Sequence, residues 1–283
     1  MKLPSPDWLD RQYNNRARIP EHAELFERWR AASALARQGL NLQPDQLYGD
    51  GPAQRVDVFL ADRADAPAVI FIHGGYWRSL DKSDHSFIAP AFVERGVHVL
   101  IPNYSLCPAV GIADIALEMT RLVAWVWNQA PTLGIDPGSL AVVGHSAGAH
   151  LAAMLLCCRW KTVDARLPVQ PLTGALGISG LYDLEPLRHA PFIRDDLALS
   201  EREAWRLSPA FFPRPRRPLY AVAGGDESEE FIRQNRLIRD QWGPSSVPVC
   251  ETLARHHHLD ILHNLADPSG RLHELALRLL GLR

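Results

Sequence analysis

No run of apolar residues in this chain approaches the roughly 20 needed to cross a bilayer, so no membrane span is expected. The opening stretch, MKLPSPDWLDRQYNNR, lacks the apolar core of a secretory signal, and a cytoplasmic protein is the expectation. Cysteine is scarce. The four present, Cys107, Cys157, Cys158 and Cys250, include two neighbours in a predicted helix and no C-x-x-C pair. They read as reduced core residues, not as a disulfide framework or a zinc site. An excess of one charge is also missing, for the formal net charge of -2 gives no general attraction to nucleic acid or to an anionic membrane. The basic run RPRRP at 214–218 is short, broken by proline and without flanking aromatic repeats, so it reads as a solvated loop. No proline- or serine-rich linker divides the 283 residues, and a single domain over 1–283 is expected. With 47% hydrophobic and 22% charged residues, the composition is that of an ordinary globular protein.

What is present is an alternation of strands and helices. PEHAELFERWRAASALARQ at 20–38 predicts a helix, with Pro20 in its first turn and Gly39 after its end. RVDVFLA at 55–61 alternates as a strand. AVIFIHGG at 68–75 and VHVLIPNY at 97–104 are unbroken enough for central strands covered on both faces, with the short helix FIAPAFVERG between them. At 112–130 the residues Ile112, Ile115, Met119, Leu122, Val123 and Val126 share one helical face. Strands SLAVVGHS, TGALGIS at 173–179, LYAVAGG at 219–225 and VPVCETL at 247–253 follow. A helix from Ala147 and another over EEFIRQNRLIRDQW separate them, and GRLHELALRLL closes the chain as an amphipathic helix. This order predicts an α/β fold with a mostly parallel central sheet and helices on both faces. Ligands of such sheets bind outside the C-terminal edge of the strands. The proline-rich stretch 181–218 is long for a connection and is expected to be a lid or pocket wall over that edge.

The stretch AVVGHSAGAHLAAMLL at 141–156 interrupts an apolar strand with Gly-His-Ser-Ala-Gly before a helix begins. Gly144 and Gly148 lack the Cβ atoms that would crowd a sharp strand-to-helix turn. This is the G-x-S-x-G pattern, which holds a serine hydroxyl out at the tip of the turn. Ser146 needs a base to become a nucleophile. ARHHHLDIL at 254–262 follows the last strand and offers three histidines, of which His258 is best placed and His257 the runner-up. Adjacent imidazoles diverge, and no H-E-x-x-H or comparable spacing accompanies them, so neither metal nor cofactor is expected. An acid should hold the imidazole, and the residues alone leave Asp226 and Glu227 open. An oxyanion hole must offer N–H groups to developing negative charge. HGGYW at 73–77, after the central strand, supplies Gly74 and Gly75, and Ala147 after the serine supplies another. His73 is expected to serve the loop and not as a second base. The order of these parts along the chain is that of α/β-hydrolases.

The constellation resembles the α/β-hydrolase superfamily and, within it, the arylformamidase (kynurenine formamidase) and carboxylesterase-like group. The likeness runs through QYNNRA at 12–17, HGGYW, GHSAGAH, SGLYDLEPL at 179–187, LSP at 207–209, ESEEFIRQ at 227–234 and HHLDIL. It implies Glu227, not Asp226, as the acid and His258 as the base, with Leu259 where the group usually carries phenylalanine. It also implies a small-molecule substrate, an ester or an aryl formamide such as N-formylkynurenine, cleaved through an acyl-enzyme. Tyr76, Trp77, Tyr182 and Phe192 are candidate walls for an aromatic leaving group, and Arg188 or Arg194 for pairing with a substrate carboxylate. A broad short-chain carboxylesterase is the second reading. A silent hydrolase fold used for binding is the third, although it normally requires a missing triad member. A homodimer is left open.

Overall fold

The computed structural model describes residues 4–282, so the first three residues and the last of the expected 1–283 range lie outside it. Eight strands form one sheet in the order β1-β2-β4-β3-β5-β6-β7-β8. They are β1 Asn41–Leu47, β2 Arg55–Leu60, β3 Ala66–Ile72, β4 His98–Pro102, β5 Ile135–His145, β6 Gly174–Ile178, β7 Leu219–Gly224 and β8 Val249–Leu253. From β4 to β8 every neighbouring pair is parallel, while β1 and β2 add an antiparallel edge. The fold is therefore the expected α/β-hydrolase architecture.

β1 is the strand that the apolar pattern did not announce. NLQPDQL is mostly exposed, and its register shifts between Gln43 and Gln46, around Pro44 and a left-handed Asp45. Proline and a bulge are tolerated at an edge, where few backbone groups need partners. The Asp45 N–H donates to Asp57 Oδ1 at 2.9 Å, which holds the bulge to the neighbouring strand.

Six helices matter for the site: α1 Pro6–Tyr13, α2 His22–Gly39, α3 Ile112–Leu133, α4 Ala147–Leu156, α5 Glu229–Trp242 and α6 Arg271–Leu279. Alternate residues of β3 feed two separate cores. Ala68, Ile70 and Ile72 pack with residues of α1, α3, α4 and α5 on one face. Val69 and Phe71 pack with residues of α2 and α6 on the other. The six apolar residues of α3 named above are all buried. Each large side chain of that kind contributes about 1.5–3 kcal/mol of transfer free energy. α4 is buried at nearly every position, as a helix apolar on all sides should be. Its first residue is thereby fixed beside the edge where β3, β5, β6, β7 and β8 all end.

Residues 181–218 link β6 to β7 through short helical turns. Leu181, Leu184, Leu187, Ala190 and Ile193 are buried in the larger core. Tyr182 and Asp183 both donate backbone N–H groups to Gln234 Oε1 on α5 at 2.8 Å. The stretch is thus pinned to the body of the protein along its first half.

Candidate active site

Ser146 caps the turn between β5 and α4 with φ 56° and ψ −116°. A non-glycine residue held there costs on the order of 1–3 kcal/mol. Two close approaches enforce it: a Cβ on Gly144 would lie 2.1 Å from the carbonyl oxygen of Gly148, and one on Gly148 would lie 1.9 Å from that of Ile72. The strand, the turn and the helix therefore interlock only with glycine at both positions. Ala147 opens α4, so its N–H has no acceptor within the helix.

The loop after β7 carries Glu227 and the loop after β8 carries His258. Glu227 Oε2 accepts from His258 Nδ1 at 2.6 Å. Its Oε1 accepts from the Gly224 N–H at 2.7 Å and from the Ser179 hydroxyl at 2.5 Å. The carboxylate is thus fully enclosed and directed at one imidazole. Asp226 is exposed. His257 turns away, its Nδ1 accepting from the Leu259 and Asp260 N–H groups at 3.1 and 3.3 Å. His258 is clamped between the rings of Phe231 and His145, with centroids at 4.4 and 4.8 Å. His145 Nε2 also donates to the His258 carbonyl at 2.8 Å. Burial, reinforced by His258, holds the pKa of His145 well below the ordinary histidine value, so this brace stays neutral.

The loop after β3 lies against the elbow. A Cβ on Gly74 would be 3.0 Å from Ser146 Cβ. Gly75 has φ +101° and accepts at its carbonyl from the Arg78 and Ser79 N–H groups, both at 3.1 Å. The Tyr104 hydroxyl reaches the carbonyl oxygens of His73 and Gly74 at 3.0 and 3.2 Å. His73 lies below, stacked between Tyr104 and His85, and burial depresses its pKa to about 4.

Ser146, His258 and Gly75 line one cavity of about 60 Å³, together with Tyr76 and Phe192. Those two rings meet edge to face with centroids 5.2 Å apart. Trp77 and Tyr182 do not belong to the cavity, contrary to expectation. The chain is left-handed at both Tyr76 and Trp77, which sends the first ring to the cavity and the second into the core, edge-on to His150 at 5.0 Å. Tyr182 is completely buried, in space that exists because Gly177 and Gly180 have no side chain; a Cβ on either would be 2.3 Å from its hydroxyl. Arg188 pairs with Glu185 at 2.9 Å and Arg194 with Asp195 at 3.4 Å, and neither lines the cavity.

Other lining residues were not foreseen. Asn14, Asn15 and Arg16 arrive from the segment after α1, Phe26 and Trp29 from α2, and Arg78 from the loop after β3. The signal for the first three is the QYNNRA stretch at 12–17, which carries the resemblance. Several bonds hold this wall: the Tyr76 hydroxyl donates to the Tyr13 carbonyl at 2.5 Å, the Phe192 N–H to Asp10 Oδ1 at 3.1 Å, and the Tyr13 hydroxyl to Glu230 Oε2 at 2.5 Å. Among the described residues no group of three or more His, Cys, Asp or Glu is arranged to hold a metal ion, and no helix is long and apolar enough to cross a membrane.

Comparison with known proteins places this geometry. A kynurenine formamidase of Salmo salar is 31% identical over 268 residues, covering 91% of this chain and 87% of its own. The chain belongs to the kynurenine formamidase family. A kynurenine formamidase of Drosophila melanogaster is 30% identical, with 88% of this chain and 84% of the relative covered. The BD-FAE family model matches residues 56–168, the part that contains the HGGYW loop and the elbow. A solved thioesterase candidate from Silicibacter sp. TM1040 superposes with a TM-score of 0.81 at 28% identity, covering 96% of this chain and 98% of that one. As a member of the kynurenine formamidase family with the α/β-hydrolase fold, the protein is a hydrolase.

Proposed function

We propose that the protein is an arylformamidase that removes a formyl group from an N-formyl aryl amine such as N-formylkynurenine, through a formyl-enzyme on Ser146. The observation that carries this reading is the cavity itself. A strained serine and an acid-braced histidine share a small space walled by aromatic rings. His258 takes the Ser146 proton as the hydroxyl attacks the formyl carbon. Glu227 fixes the imidazole and offsets the charge it acquires. The N–H groups of Gly74, Gly75 and Ala147 receive the oxyanion, each worth about 3 kcal/mol where such donors have been removed singly. His258 then gives its proton to the departing aryl amine, and the C–N bond breaks. A water molecule, deprotonated by the same imidazole, attacks the formyl ester, releasing formate and restoring Ser146. A formyl group needs almost no acyl room, which suits the narrow cavity, while Tyr76, Phe192, Phe26 and Trp29 offer a surface for the arene.

A short-chain carboxylesterase would use the same machinery, so the two readings separate on substrate. The test compares kcat/KM for N-formylkynurenine with that for p-nitrophenyl acetate and butyrate, with S146A as the control. This ratio reports transition-state stabilisation from free enzyme and substrate. The expected result is a formamide value of roughly 10⁴ M⁻¹s⁻¹ or more, and a loss of at least about 10³-fold for both substrate classes in folded S146A. Ester turnover with no formamide cleavage would transfer the assignment to the carboxylesterase, and near wild-type turnover by S146A would remove the nucleophile.

A further inference from the structure

The charged groups around the cavity are unevenly matched. Arg16 and Arg78 both line it, and no aspartate or glutamate does among the described residues. Arg78 is committed: it pairs with Asp196 and lies over the Phe192 ring, 5.7 Å from its centroid. Among the described residues, Arg16 has no carboxylate partner. Its guanidinium there reaches the Ser79 hydroxyl, at 3.1 Å, and the Phe26 face, at 5.5 Å. Burial and the neighbouring Arg78 charge hold its pKa below the ordinary arginine value, so the two guanidiniums feel each other across the mouth. A second observation is independent of charge. Asn15 also lines the cavity, is 7% exposed, and has a buried amide Nδ2 with no acceptor among the described residues. An unpaired buried donor of this kind costs about 1–3 kcal/mol unless something accepts from it. A half-exposed cation without a counterion and a buried N–H₂ without an acceptor, side by side in sequence and both lining the cavity of Ser146, describe a place for an anionic oxygen acceptor.

We propose that Arg16 and Asn15, with Arg78 beside them, form a carboxylate subsite that selects substrates bearing an acidic group on the aryl-amine side. This rests on the arylformamidase reading for the direction in which the substrate lies, since the leaving group must occupy the aromatic wall. The guanidinium can offer two parallel N–H donors to a carboxylate, and the Asn15 amide a third. Arg16 and Asn15 are then specificity-determining residues that never touch the reacting carbonyl. Their segment is held by the Tyr76 and Phe192 hydrogen bonds to α1 and the residue that ends it, so the subsite is positioned against the same rings that would hold the arene.

The test uses N-formylkynurenine and its methyl ester, identical at the scissile bond but different at the carboxylate. The folded wild-type enzyme is expected to prefer the free acid by about 30-fold in kcat/KM, mostly through KM, as a charge-assisted contact at a cavity mouth allows. R16Q should bring the preference close to one and R16K should restore part of it, which a merely structural role for the side chain would not do. N15D, which replaces a donor with a carboxylate facing the ligand's own, should also remove the preference. An R16Q enzyme with the wild-type preference would overturn the subsite. If the wild type cleaves neither formamide yet hydrolyses phenyl acetate, the arylformamidase reading fails, and the subsite is read separately. Kynurenine and its methyl ester are then compared as competitive inhibitors of phenyl acetate hydrolysis. Tighter inhibition by the acid that disappears in R16Q supports the subsite, and equal inhibition in the wild type overturns it.

Discussion

On one side of the cavity, Ser146, Glu227 and His258 stand on short loops at the ends of three parallel strands, with Glu227 held by three donors and His258 by two rings and a backbone contact. On the other side, Asn15, Arg16 and Phe192 come from segments outside the sheet and meet Tyr76 of the loop after β3, with Tyr76 bonded to Tyr13 and Phe192 to Asp10. The first wall is fixed by the sheet and by interlocked glycines. The second is a tertiary assembly of segments distant in sequence. The proposed reaction chemistry therefore lies on the part of the fold that the sheet fixes, and the proposed substrate choice on the part assembled from distant segments.

The largest effect should come from breaking the first wall at its acid. E227A is expected to lower kcat by about 10²–10⁴-fold under saturating substrate, because the imidazole loses both its orientation and its counter-charge. D226A, altering an exposed side chain, should stay within about twofold, since surface substitutions away from such features change little. Measured kcat for the two folded variants decides it, and a larger loss in D226A would move the acid to that position.

Acid should act on the same wall through the histidines beneath it. Burial lowers the pKa of His73 to about 4 and of His85 to about 3, so both are neutral in the folded protein at neutral pH. In the unfolded chain they take up protons below about pH 6.5. Between these limits the unfolded state binds more protons, so stability is fully present above about pH 6.5 and is lost as pH falls towards 4. Each histidine contributes a slope of up to about 1.4 kcal/mol per pH unit. Urea midpoints at pH 7, 6 and 5 should decline progressively, and a flat series would mean that these rings are not held neutral.

The smallest effect should come from the second wall. D10A removes the acceptor for the Phe192 N–H, at a cost of about 1 kcal/mol in stability. KM for aromatic substrates should rise by roughly 3–10-fold with kcat for p-nitrophenyl acetate little altered, as expected when the loss is of uniform binding. A fall in kcat with unchanged KM would show that α1 supports the chemistry itself.

The two walls also differed in how far the amino-acid sequence disclosed them. The strands β2 to β8 were legible because unbroken or alternating apolar runs have few other meanings. The elbow was legible because its glycine-flanked serine forms a short pattern with few other uses, although the demand on Gly148 comes from Ile72 of a different strand. Asp226 and Glu227 could not be separated by spacing, since adjacent carboxylates differ only in which way the loop turns, and the resemblance had to choose. Trp77 and Tyr182 were misplaced for a related reason: aromatic composition marks burial but not whether the burial is in a pocket or in a core. The left-handed turn at Tyr76 and Trp77, and the room above Gly177 and Gly180, are facts of three-dimensional packing. The contribution of Asn15 and Arg16 was hidden more deeply. An amphipathic helix announces that one face is covered, but it does not say by what, and these residues lie beyond the end of α1 altogether.

The bonds that complete the substrate wall have a consequence for the order in which a newly made chain becomes active. The Phe192 N–H and Asp10 are 182 residues apart, and the Tyr13 hydroxyl and its acceptor Glu230 are 217 apart. On a ribosome the segment that carries Asn15 and Arg16 emerges well before Glu230, which completes its dock through Tyr13. His258 follows later still. A nascent chain can thus contain its elbow serine while it still lacks both the proposed base and the proposed substrate wall, which need residues up to 258. Contacts of such long range are also those that form slowly. The proposed hydrolytic competence is therefore acquired only after the loop that carries His258 has been made and folded.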